Sequence, residues 1–224
     1  MMRILLGLPV AALAVAGAYA AVPEGEHKAR IYVDDDRAGT ASFVREVNGD
    51  AKVDEVVSRV AVDFLGFEVF EFTQNLRQRW RDGELQSLYG YTDDDGDIYE
   101  ANLLRQNGAL VGTLNGEPVE LPAEAFPTSV WHYEVTERPI LFDVKDLEIR
   151  HVKVERSEEE LVIDGRPIPT ERFDFVEGWN ATVWYDDQQR LVQFVYGEGD
   201  HLVKVVPERC LQTADAAGSD LPAC

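Results

Sequence analysis

The chain has 224 residues, of which 45% are apolar, and 42 acidic against 21 basic side chains give it a formal charge of −21. That apolar share is enough for a globular core. The acidity argues against nucleic acid and anionic membrane as partners, because affinity there comes from Lys and Arg neutralising phosphates.

Residues 1–20 read as a cleavable signal peptide. Met1-Met2-Arg3 supplies a short basic start, residues 4–17 an apolar run, and Ala18-Tyr19-Ala20 the small-x-small spacing of a cleavage site. The run is shorter than the roughly 20 apolar residues a membrane span needs. Cleavage after Ala20 is expected, and no cysteine stands there to carry a lipid. With no later stretch of spanning length, the expected product is a soluble periplasmic protein without an integral membrane segment. Residues 21–209 then form a single antiparallel β domain, and residues 210–224 a tail. Cys210 and Cys224 are the only cysteines, and in an oxidising compartment such a pair reads as a disulfide stapling that tail.

In chain order, one short strand follows another, separated by turn chemistry. Residues 31–33 predict a first strand and residues 34–39 a polar turn. Ala41, Phe43 and Val47 lead to Asn48-Gly49-Asp50, a hairpin signal because Asn-Gly tolerates positive φ. Val56, Ser58, Val60, Val62 and Phe64 alternate along the next strand. Residues 67–72 shift phase midway, which predicts a bulge or a strand covered on both faces. Asp82-Gly83, Asp95-Gly96, Asn107-Gly108 and Asn115-Gly116 continue a meander. Residues 121–139 break it: Pro122, Pro127 and Pro139 among Phe126, Trp131 and Tyr133 predict a loop with one short helical turn laid across the sheet. A long strand-poor segment of this kind reads as a lid. Strands resume over 147–154, 161–163, 173–176, 182–185, 191–196 and 202–206. The fold class expected is all-β and mainly antiparallel: a large curved sheet forming a half-barrel or open barrel with one short helical or loop lid. Open twisted sheets seldom stay flat beyond about ten strands.

Chemical signatures are scarce. There is no nucleophile elbow, zinc-protease helix, phosphate loop or dinucleotide fingerprint. His27, His132, His151 and His201 lack paired ligand spacing, so no metal site is expected. Asp93-Asp94-Asp95-Gly96-Asp97 resembles a calcium loop, but in register its first and last ligand positions fall on Tyr91 and Asn102, and a solvated turn is the better reading. Neither catalytic residues nor a cofactor is identified. The aromatics are the informative set: Trp80, Trp131, Trp179 and Trp184 with Tyr89, Tyr91, Tyr133 and Tyr185 come from distant parts of the chain. Curled onto one face, they would line an apolar concavity, the usual form of a small-molecule site.

Trp80-Arg81-Asp82-Gly83-Glu84-Leu85, Thr92 before Asp95-Gly96, Pro127-Thr128-Ser129 with Trp131, and Trp184-Tyr185-Asp186 before Leu191-Val192-Gln193-Phe194 together resemble a family of exported bacterial proteins whose domain has no assigned function, over roughly residues 30–206. The final segment is also similar to that of periplasmic LolA-type lipoprotein-carrier half-barrels. That resemblance implies a curved sheet around an apolar groove closed by a lid, although the long amino-terminal helix of the carriers is missing.

The function expected is therefore non-enzymatic: a periplasmic protein binding a lipid or other apolar or amphipathic molecule in the concave face of its sheet. Trp131, Tyr133, Phe126, Trp80, Tyr89 and Trp184 are the candidate contacts. The alternative is an envelope protein–protein interaction module using its acidic surface or a sheet edge. An enzyme using carboxylates such as Glu134 or Asp143 is a third, weaker reading.

Overall fold

The computed structural model describes residues 22–64, 67–211 and Cys224; the expected signal peptide and most of the tail beyond Leu211 lie outside the described residues. The meander runs through β1 (Gly25–Val33), β2 (Asp36–Asn48), β3 (Ala51–Phe64), β4 (Phe67–Arg81), β5 (Glu84–Asp94), β6 (Asp97–Gln106), β7 (Ala109–Leu114) and β8 (Glu117–Leu121). The short strands β9 (Phe126–Pro127), β10 (Ile140–Phe142) and β11 (Ile149–His151) follow. Then come β12 (Lys153–Ile163), β13 (Arg166–Glu177), β14 (Ala181–Tyr185), β15 (Leu191–Glu198) and β16 (His201–Pro207).

Thirteen of these strands form one antiparallel sheet, in the order β12-β13-β14-β15-β16-β1-β2-β3-β4-β5-β6-β7-β8. The expected fold class holds: a large antiparallel sheet that is not closed into a barrel. Only the β16–β1 pairing joins strands distant in sequence; it sets the second meander beside the first. The open edges, β8 and β12, are bridged by residues 122–152, which cross the concave face. Within that segment β10 pairs parallel with β9 and antiparallel with β11, and a single 3-10 turn spans Tyr133–Glu137.

Turn chemistry explains the register. Asp82-Gly83, Asp95-Gly96, Asn107-Gly108, Asn115-Gly116 and Asp164-Gly165 each place two successive residues at positive φ, as tight hairpins with right-handed twist require. Three local expectations are corrected. The polar stretch 34–39 is mostly strand, because Asp34 and Asp35 alone turn the chain, at φ 48° and 73°. The hairpin after β2 turns on Gly49-Asp50, with Asn48 already paired to Ala51. The strand expected from residue 147 begins at Ile149, since Leu147 sits at φ 61° in a turn closed by Asp143 and Glu148. The predicted phase shift is a bulge: Val62 pairs with Phe70 but Asp63 pairs with Glu68, which leaves Val69 extra.

The curled sheet has two apolar faces. The inner cluster holds Phe43, Leu76, Leu88, Leu103, Leu110 and Val183 from the strands, packed on Val135, Leu141 and Phe142 of the bridging segment. Gly39 permits the curl: a Cβ there would stand 2.1 Å from the Arg59 carbonyl oxygen. Outside the sheet a smaller cluster joins Ile163, Ile168, Trp184, Val192 and Val206 to Cys210 and Leu211. Cys210 is disulfide-bonded to Cys224, so the chain end is pinned to this outer face.

Candidate binding site

Alternation along β2, β3 and β4 sends Arg45, Asp54 and Gln78 inward as direct cross-strand neighbours. All three are buried. Arg45 donates from Nε to Asp54 Oδ1 and from Nη2 to Oδ2, both at 2.6 Å. His132, from the bridging segment, brings Nε2 to 2.9 Å from Asp54 Oδ2 and 3.1 Å from Arg45 Nη2. A neutral ring nitrogen serves one of these at a time, donating to the carboxylate or accepting from the guanidinium. Burial opposes the Asp54 charge, yet the hydrogen bonds from Arg45 and His132 win and hold its carboxyl below the usual value.

Aromatic rings wall in this ion cluster. Trp80 lies 4.4 Å from the His132 ring, Trp131 stacks on Phe43 at 5.1 Å, and Phe126 meets Trp80 at 5.4 Å. Tyr133 donates to Glu171 at 2.9 Å. Burial first, then the Glu171 carboxylate, drives its hydroxyl pKa up. Tyr185 donates to the Val130 carbonyl at 2.9 Å and ties the same segment to β14. This end of the concave face is thus filled and latched. It is also polar: the Gln78 amide and Trp80 Nε1 are buried without hydrogen-bond partners among the described residues, which makes it a poor receptacle for an apolar molecule.

The six aromatic candidates do not converge. Trp131, Tyr133, Phe126 and Trp80 belong to the inner cluster, each under a tenth exposed. They are floor packing rather than lid contacts over an open groove, because His132, Tyr133 and the Val130 carbonyl fasten their segment to the sheet. Tyr89 is 45% exposed on the outer face. Trp184 packs in the outer cluster and donates Nε1–H to Glu159 at 2.8 Å. Glu134 is exposed to solvent in part, and Asp143 is engaged by Arg150 at 3.0 Å. Among the described residues no His, Cys, Asp and Glu group has metal-binding geometry.

The opposite end of the concave face differs. The turns between β1 and β2, β5 and β6, and β15 and β16 all lie there. A register row crosses the sheet through Phe194, Val205, Ile31, Gly39, Val60 and Phe72 to Asp94. In that row Phe72, and beyond it Val33, Val62, Phe70 and Tyr196, are inward apolar side chains that are only partly buried. Phe175, Trp179, Phe194 and Tyr196 form a continuous aromatic wall, with successive centroids 4.8, 5.5 and 5.1 Å apart. Burial first, then the carboxylates of Glu198, Asp143 and Asp94, pushes the Tyr196 hydroxyl pKa up. Lys145, in the 143–148 turn, places Nζ 2.9 Å from Asp94 Oδ2 and 5.6 Å over the Tyr99 ring. Gly90 lets this turn sit low on the sheet, since its missing Cβ would lie 3.5 Å from the Val144 carbonyl oxygen and 3.1 Å from a Leu76 methyl. Sequence reading missed Phe70, Phe72 and Tyr196. Alternation marks them as inward-facing, but carries no sign of which end of the body is left open.

Over residues 30–206 the chain matches a family described as a domain of unknown function, DUF6134. No curated protein matches it. Among solved structures, it is similar to a β-barrel-like protein of the DUF1849 family from Brucella abortus, with a TM-score of 0.54 at 10% identity, covering 82% of this chain and 96% of that one. A DUF1089-family protein from Pseudomonas aeruginosa aligns with a TM-score of 0.39 at 12% identity, over 86% of this chain and 95% of that one. The former likeness shows a shared barrel-like fold.

Proposed function

The chain belongs to the DUF6134 family, and from that premise we propose that it is a non-enzymatic periplasmic binding protein for an apolar or amphipathic small molecule held on the concave face of its sheet. One observation carries the reading: Val62, Phe70, Phe72 and Tyr196 point inward at one end of the body yet remain partly exposed, while the other end is filled. Apolar surface left in water forgoes about 25 cal/mol per Å², and a concave apolar mouth with a few polar groups is the usual form of a small-molecule site. The ligand contacts are thus at the mouth, with Phe126, Trp80, Trp131 and Tyr133 as its supporting floor. The Cys210–Cys224 disulfide supports an oxidising compartment.

The test is titration with the neutral fluorophore N-phenyl-1-naphthylamine, together with native mass spectrometry of protein purified from its own cell envelope. Saturable fluorophore binding that Phe72→Asp weakens at least tenfold, with the melting transition kept, supports the mouth as the site. No binding by the unaltered protein overturns it.

The interaction-module reading draws on the β12 edge, where Glu155, Glu158 and Glu160 are exposed. Charges on an edge strand also block edge-to-edge pairing, so this reading leads only if the mouth binds nothing.

A further inference from the structure

We infer that the molecule taken at the mouth is a cationic amphiphile, an apolar chain or ring system carrying an amine or guanidine head. This rests on the reading of the mouth given above and adds the charge of its ligand.

The first ground is the charge around the opening. Asp94, Asp143 and Glu198 all act on the Tyr196 hydroxyl. Lys145 answers Asp94 and Arg150 answers Asp143, while Glu198 has no ion-pair partner among the described residues. The turns at this end carry Asp34-Asp35-Asp36, Asp93-Asp94-Asp95 and Glu198-Gly199-Asp200, against which stand His201, 2.6 Å from Asp34, and Lys204, 2.5 Å from Asp35, so carboxylates remain in excess. At the other end Arg81, Arg105, Arg166, Arg190 and Arg209 lie in or next to the turns, and Arg190 and Arg209 pair with Asp186 there. The mouth is therefore the acidic pole of the molecule, and it surrounds apolar surface. An anionic head would meet repulsion there, and a cationic head would be attracted.

The second ground is independent of net charge. Trp179 and Tyr196 are partly exposed members of the aromatic wall, and aromatic faces beside carboxylates are the groups that hold ammonium and guanidinium ions. The chain already makes such a contact at this rim: the Lys145 ammonium sits between Asp94 and the Tyr99 ring. Burial works against that charge, and the Asp94 hydrogen bond more than restores it. An incoming head would compete with Lys145 for Asp94 while its apolar part covers Phe70 and Phe72.

The experiment compares twelve-carbon probes below their micelle concentrations: dodecyltrimethylammonium, uncharged dodecyl maltoside and dodecyl sulfate. In low salt the cation is expected to bind at least tenfold more tightly than the uncharged probe, with the advantage shrinking in 0.5 M NaCl as about 10 Å of screening length at 0.1 M contracts further. Lys145→Met should raise the cation preference several-fold and Asp94→Asn should lower it. Arg81→Met, which changes net charge equally at the opposite end, should leave it unchanged. Equal binding of cationic and uncharged probes overturns the charge assignment and leaves the apolar mouth standing. An equal response to Lys145→Met and Arg81→Met also overturns it, because the effect is then one of overall charge. Failure of all three probes overturns the mouth itself.

Discussion

Arg45 and Asp54 face each other across β2 and β3 as a bidentate pair, with both nitrogen–oxygen distances 2.6 Å and both side chains almost fully buried. His132 is the third member, and it comes from a different layer. The pair thus serves as the anchor by which the bridging segment is held against the sheet. A buried pair of this kind is weak evidence of net stabilisation, but removing one partner leaves an uncompensated charge and costs about 3–5 kcal/mol. Asp54→Asn is expected to lower unfolding free energy by that amount in urea titration, while Arg45→Met combined with Asp54→Leu should cost less than Asp54→Asn alone. A loss under about 1 kcal/mol for Asp54→Asn would show that the anchor is not what holds the segment.

The same carboxylate gives the protein an acid limb. The folded-state pKa of Asp54 lies below its ordinary value, so the native state binds fewer protons than the unfolded chain near that pH. Its contribution is then fully present above the unfolded value of about 3.9 and is lost as pH falls through the lower folded value. Asp174 adds to this limb in the same direction: burial opposes its charge, and hydrogen bonds from Arg172 and Thr182 outweigh burial. Urea midpoints measured between pH 6 and pH 2 should fall on the acid side, and Asp54→Asn should flatten the fall. An unchanged slope in that variant would assign the limb elsewhere.

Trp131 separates floor from lid. It is buried and stacked on Phe43 at 5.1 Å, so Trp131→Ala should cost about 3–5 kcal/mol, as truncation of a packed aromatic does. Tyr89→Ala, on the exposed outer face, should stay within about 0.5 kcal/mol. Calorimetric melting of both variants checks the contrast; similar melting temperatures would return Trp131 to the role of a mobile lid.

The disulfide should be complete and locally important. Cys210 is fully buried in the outer cluster. Thiol titration of native protein is expected to find no free cysteine. Replacing Cys210 and Cys224 together by Ala should cost at most about 3 kcal/mol, the loop-entropy value for a ring of about 15 residues, with the near-ultraviolet circular dichroism retained. Loss of that signal would mean that the tail holds the inner core as well.

Much of this molecule was legible from local chemistry. Residues such as Asp82-Gly83 and Asn107-Gly108 can take positive φ, and alternation between them fixes which side chains share a face, so strands, hairpins and the bulge after Val62 follow from nearest-neighbour rules. The Cys210–Cys224 pairing follows from there being two cysteines. What only the tertiary structure decided is how the two meanders meet and where the strand-poor segment lies. The β16–β1 pairing joins residues some 170 positions apart, such as Ile31 with Val205, and no local rule selects it. Inward-facing Trp131 and inward-facing Phe72 look alike in sequence. They differ because residues 122–152 cover one end of the concave face through His132 and Tyr185, and at the other end stop at Lys145 and Asp94. Burial is set by which surfaces come to lie on one another. For this sheet that depends on a buried Arg45–Asp54–His132 contact whose three members are separated by 9 and 78 positions in the chain.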